Sequence, residues 1–124
     1  KYYKISNNFY MIYVNTKTNI FYSSININVG SINESPGEQG LAHFIEHCIF
    51  KGTTKRKPFH ILSRLDAVGG ELNAYTTKEE TCIYGSFLNV YYERAIELIS
   101  DILFKLFCLI LKLLFIYDFF NNYL

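Results

Sequence analysis

Between Gly30 and Gly40 the period of the hydrophobic residues changes, and that change limits the folds open to the chain. Before it, Ile20 to Val29 alternates, with Ile25, Ile27 and Val29 on one side and Ser24, Asn26 and Asn28 on the other, the pattern of a strand with one buried face. After the Pro36-Gly37 loop, Leu41, Phe44, Ile45, Cys48 and Ile49 recur at helical spacing, and Gly52 is placed to cap the helix end. A chain that switches from period two to period 3.6 must lay helices against a sheet.

The remaining segments extend this order. Phe9 to Val14 is rich in β-branched and aromatic residues and is followed by turn residues Asn15 to Asn19, so it is expected to form a hairpin with Ile20–Val29. Pro58 opens a second helix with the stripe Ile61, Leu62, Leu65 and Val68, and Gly69-Gly70 stops it. Leu72 to Tyr75 and Thr81 to Leu88 read as strands around the polar turn Thr77 to Glu80. Tyr91 to Phe104 reads as a third helix with Ala95, Leu98, Ile99 and Ile102 facing inward. The order ββααββα predicts an α+β fold, helices packed on a mostly antiparallel sheet.

From Lys105 the character changes, and the chain divides into a body over 1–104 and a divergent apolar tail over 105–124. The tail is interrupted by Lys105 and Lys112 and falls short of the ~20 apolar residues that span a bilayer, so no membrane span is expected. It reads as a buried helix or as sequence that selection no longer shapes.

At 124 residues, half of them hydrophobic, the chain makes at most one domain with a real core. A net charge of +1 with acids and bases interspersed leaves no electrostatic footprint for nucleic acid. Cys48, Cys82 and Cys108 are odd in number and lack close spacing, which signals neither a disulfide framework nor a cysteine metal knuckle and favours a reducing, cytoplasmic setting. The chain opens on Lys1 and not on Met, so a signal peptide upstream stays open.

Within the first helix stands His43-Phe44-Ile45-Glu46-His47. Two histidines four apart lie one turn above each other, with Cβ atoms ~5–6 Å apart, so both imidazoles can reach one zinc ion. Glu46 falls beside that stripe and not on it, where a carboxylate can take a proton from an attacking water. This is the order of an inverted zinc-peptidase motif. The alternative is two helix-face histidines with a solvated glutamate between them.

The surroundings of the motif resemble the pitrilysin/insulinase-type (M16) peptidases. Gly40-Leu41-Ala42-His43-Phe44-Ile45-Glu46-His47, Phe50-Lys51-Gly52-Thr53, Gly69-Gly70-Glu71-Leu72-Asn73-Ala74-Tyr75-Thr76 and Glu80-Thr81 look like that family's N-terminal domain in order and spacing, over roughly Phe9 to Phe104. The resemblance implies an incomplete LuxS/MPP-like peptidase domain, zinc at His43 and His47, Glu46 as general base, and Asn73, Ala74 and Tyr75 as an edge strand to which a peptide substrate is added. Ordinary strand pairing is the other reading of those three residues. The family's third ligand, a glutamate on a later helix in an acidic segment, has no counterpart in Lys105–Leu124, whose only acid is Asp118. The family's second, ligand-free half is also without a counterpart.

His60 has no metal-spaced partner and reads as a surface or packing histidine. Cys48 reads as a core thiol, and Glu93 with Glu97 as a solvated face. The resemblance leaves a zinc metalloendopeptidase fragment, inactive as it stands, a non-catalytic M16-like partner subunit, or a truncated or frame-shifted product. Truncation or a frame-shift after Phe104 is expected, leaving a zinc metalloendopeptidase fragment without its C-terminal half or partner subunit.

Overall fold

In the computed structural model of the chain, residues 1–53, 55–67, 69–105 and 108 are described. The expected stripe residues Leu62, Leu65 and Val68, and the tail apart from Lys105 and Cys108, lie outside what can be described of side chains or backbone.

Among the described residues five strands and three α-helices follow one another: β1 Tyr2–Ser6, β2 Phe9–Ile12, β3 Ile20–Ile27, α1 Leu41–Ile49, α2 Pro58–Asp66, β4 Glu71–Thr76, β5 Thr81–Leu88 and α3 over 92–105. The three-stranded sheet has the order β3-β5-β4, antiparallel throughout, with Ile25 opposite Ile83 and Ala74 opposite Ile83 on the other side. Helices packed on an antiparallel sheet make this the expected α+β fold. Among the described residues no helix is long and apolar enough to cross a membrane.

One pairing departs from the sequence reading. The segment Phe9–Ile12 does not pair with β3; it pairs with β1 in a separate two-stranded ribbon. The reason is local: Asn7-Asn8 forms a tight turn directly before Phe9, and closing a short loop costs less entropy than closing across Asn15 to Asn19. Tyr2 and Tyr10 stack across the ribbon with ring centroids 5.6 Å apart. Both strands are exposed on both faces, and among the described residues β3 pairs with β5 alone. Val29, expected on the buried face, is exposed beyond the end of β3.

The core forms where helices meet the inner face of the sheet. Ile49 of α1, Ile61 of α2, Leu72 of β4, Ile83 and Phe87 of β5, and Ala95, Leu98, Ile99 and Ile102 of α3 make one buried cluster. The stripe expected of α3 is therefore the stripe it buries. Each fully buried Ile or Phe contributes about 1.5–3 kcal/mol relative to exposure. The opposite face of the sheet carries Tyr22, Tyr75 and Tyr84 in solvent.

Two polar devices fasten the helical layer. After α1, Thr53 and Arg56 hold each other through backbone and hydroxyl bonds, and both reach α3: the Thr53 hydroxyl donates to Asp101 at 2.7 Å, and the Arg56 guanidinium binds Asp101 and Glu97. Glu97 is thus an ion-pair partner on an exposed face, and not merely a solvated residue beside Glu93. Burial pushes the Asp101 carboxyl up, but the Thr53 hydroxyl and the Arg56 guanidinium outweigh it and hold it below the ordinary carboxylate range. Arg56 likewise lowers Glu97. The second device is at the other end of α1. Ser31 N–H donates to the Thr77 carbonyl at 3.1 Å and Ile32 N–H to the Lys78 carbonyl at 2.9 Å, so the loop leaving β3 grips the β4–β5 turn. Gly30 is required there, because a Cβ would stand 2.5 Å from the backbone of Thr77 and Lys78.

Gly30→Ala should therefore destabilise the fold by about 1–3 kcal/mol through overpacking against backbone that cannot move aside, read as a lower urea midpoint at unchanged slope. Asp101→Ala should cost about 2 kcal/mol, the worth of hydrogen bonds to a charged group. Carboxylates with lowered native pKa stabilise above their unfolded value near ~4 and lose that contribution as pH falls through the native value. The wild type should accordingly lose stability on acidification below about pH 4, and Asp101→Ala should show a shallower loss over the same range in pH-dependent denaturation.

Candidate metal centre

The helix that carries the motif starts without help from its own residues. Gly40 at its N-cap has φ 89°, a left-handed conformation that suits glycine, and offers no side chain; no acid stands in the first turn. The missing cap comes from Glu34, whose two carboxylate oxygens accept the N–H groups of Gly40 and Ala42, each at 2.9 Å. At the other end the Lys105 ammonium donates to the Cys48 carbonyl at 3.0 Å. A negative group at the N-terminus and a positive one at the C-terminus both match the helix dipole.

On this helix His43 and His47 come together. Their rings stand at 82° with centroids 4.4 Å apart, and the two Nε2 atoms are 2.9 Å from each other. Glu46 turns to the same side, its Oε2 3.6 Å from His43 Nδ1. The His43 side chain is 65% exposed and that of Glu46 only 16%, so the imidazole meets solvent while the carboxylate is sheltered against the body. Nitrogens bound at about 2.0–2.1 Å to a tetrahedral zinc stand about 3.3 Å apart. The pair therefore fits one zinc ion after opening by a few tenths of an ångström, within ordinary rotamer adjustment. Among the described residues no set of three or more His, Cys, Asp and Glu side chains is arranged to hold a metal, so the third ligand the resemblance implies is not found there.

The strand β4 packs against α1 and pairs on one side only, with β5, among the described residues. Thr77 N–H donates to the Glu80 carbonyl, and in an antiparallel ladder facing pairs alternate. Asn73 and Tyr75 therefore turn their backbone groups to Tyr84 and Cys82, while Leu72, Ala74 and Thr76 turn theirs to the open edge. Of the three expected edge residues only Ala74 offers its backbone outward, and its N–H is held by the Asn73 side-chain oxygen at 3.0 Å. Tyr75 donates its phenolic hydrogen to Glu80 at 3.0 Å. The Cys82 thiol and the Glu80 carboxylate push that phenol up to about 12, so it stays a neutral donor.

His60 lies exposed beside the Phe59 ring, away from any metal-type cluster. Cys48 is half-buried. Glu34 is the residue near the site that sequence patterning does not flag, because it acts over six positions, outside the spacing of a capping box.

The profile of the insulinase family (peptidase family M16) matches residues 10–109. The chain belongs to the M16 peptidase family. The M16 match runs past Phe104, to residue 109. An uncharacterized zinc protease of Streptomyces coelicolor is 48% identical over 75 residues, 60% of this chain and 16% of that protein. One of Mycobacterium leprae is 46% identical over 76 residues, 61% of this chain and 17% of that protein. The crystal structure of pitrilysin superposes with a TM-score of 0.64 at 28% identity, covering 69% of this chain and 9% of pitrilysin. The chain thus spans less than a fifth of the length of these M16 relatives.

Zinc titrated into the purified chain should bind weakly, two histidines being fewer than the three protein ligands of a catalytic site. His43→Ala should weaken that binding by more than the roughly 10–100-fold typical of losing an outer-shell group. Calorimetry on both proteins checks this, and equal affinities would place the zinc elsewhere.

Proposed function

We propose that this M16 chain supplies the metal-binding and proton-transfer half of a zinc-dependent metalloendopeptidase site that hydrolyses peptide bonds of extended peptides. The observation that carries the reading is the convergence of two solvent-facing imidazoles beside a sheltered carboxylate, on a helix packed against a strand with an open edge. His43 and His47 would hold the ion. Zinc bound there supplies Lewis acidity, lowering the pKa of water to about 7 and polarising a carbonyl.

The chain's own groups do the rest. Glu46 accepts a proton from the attacking water and delivers it to the departing amine nitrogen, so that one carboxylate serves both steps. An extended substrate lies along β4 as an added strand. It exchanges hydrogen bonds with the outward backbone groups of Ala74 and its outward neighbours, once the Asn73 side chain releases the Ala74 N–H. Asn73 and Tyr75 border the substrate with their side chains. The third ligand, and a half that closes over the substrate and excludes water, are supplied by further chain or by a partner subunit. Without them the 124-residue chain hydrolyses peptides negligibly.

In a full-length relative, substituting the glutamate equivalent to Glu46 by Gln should abolish hydrolysis while leaving zinc in place, because Gln keeps the shape but cannot take the proton. Metal analysis alongside a peptide-cleavage assay distinguishes the roles: zinc lost on that substitution would make Glu46 a ligand. For the chain alone, the same assay with added zinc should show no turnover above a His43→Ala control, and zinc-dependent turnover abolished in the control would show a complete ligand set.

A further inference from the structure

The capping of α1 links the metal pair to the substrate edge. Four amide N–H groups at a helix start lack partners within the helix, and here neither Gly40 nor the first turn supplies one from a side chain. Glu34 supplies it with both oxygens, on Gly40 and Ala42. His43 is the next residue along, still in the first turn, so the direction of its Cα–Cβ bond is set by the backbone that Glu34 holds. Glu34 is itself located from the sheet. It closes the short turn Ser31–Asn33 by donating its N–H to the Ser31 carbonyl, and that turn is hydrogen-bonded to Thr77 and Lys78 directly after β4. Asn33 tightens the same turn, its side-chain oxygen accepting the Gly30 N–H at 3.0 Å.

We infer that Glu34 is a positioning residue for the metal pair: it transmits the location of the β4–β5 turn to the first turn of α1 and so fixes His43 relative both to His47 and to the edge strand. The inference rests on the metal reading of His43 and His47. His47 sits one turn further along, where the buried Ile49 already anchors the helix. Loss of the cap therefore moves one ligand relative to the other, and does not shift both together.

A residue that served stability alone would lower the melting temperature and leave the metal affinity of the folded chain unchanged. The test uses the whole 124-residue chain and cobalt(II) as a spectroscopic probe, titrated well below the melting temperature of each variant, with amide hydrogen exchange measured separately on the metal-free proteins. Glu34→Ala should weaken cobalt binding about tenfold, the lower end of the effect of supporting groups around a metal, and should speed exchange at Gly40, Ala42 and His43. Glu34→Gln, which retains one acceptor oxygen, should show a smaller loss; should Glu34→Ala not fold, Glu34→Gln decides by the same two readings. Cobalt bound as tightly by the folded variant as by the wild type, or unchanged exchange in the first turn, overturns the positioning role while leaving the metal site standing. A wild type that takes up no cobalt overturns the metal reading and the positioning role with it.

Discussion

The burial of Ile49 and Ile61 against Ile83, Phe87 and Ile102 is the contact on which the rest of the structure depends. It is non-directional: burying those side chains brings α1 down onto the sheet but leaves it free to slide or rotate by a fraction of a turn. The polar contacts remove that freedom. Backbone bonds from Ser31 and Ile32 tie the entry of α1 to the β4–β5 turn, and the Thr53, Arg56 and Asp101 cluster ties its exit to α3. Each is short and directional, and each spends few residues.

The division of labour explains which parts of the molecule could be read from sequence. The stripe Ala95, Leu98, Ile99 and Ile102 was legible because a period of 3.6 has one structural solution, and all four are buried. The strands β4 and β5 were legible from their apolar runs and the polar turn between them. The partner of β2 was not, since alternation says that a segment is a strand and nothing about which neighbour it takes. There the deciding signal was the two asparagines before Phe9, which compete locally against a longer loop. The exposed position of Phe44, one of the residues that recur at helical spacing in α1, has the same origin: periodicity counts residues around the helix, but only tertiary packing decides how wide the buried stripe is.

The site was legible in part. The spacing of His43 and His47 fixes that both rings share a face, and the structure brings their Nε2 atoms to 2.9 Å. Glu34, Arg56 and Asp101 were invisible because a single charged residue acting over a loop leaves no periodic trace. The edge is subtler. Sequence marks Asn73 to Tyr75 as one unit, whereas the ladder alternates and turns only every second backbone pair outward, so neighbouring residues do different work.

The pairing of β3 with β5 carries a consequence for the order in which the molecule assembles. Two of the helices, α1 and α2, and β4 lie between those strands in the chain, and the Lys105 contact to the C-terminal carbonyl of α1 spans 57 positions. Non-local contacts of this kind form late, because loop-closure entropy is lost before they return anything. During synthesis, which runs from the N-terminus, the two histidines are made before β5 and α3 exist to anchor their helix. Nascent chain therefore presents the histidine pair first on a helix held at its start by Glu34 alone, and on an anchored helix only after β5 and α3 have docked, so the rigidity of the pair is set by the translation of residues far downstream of it.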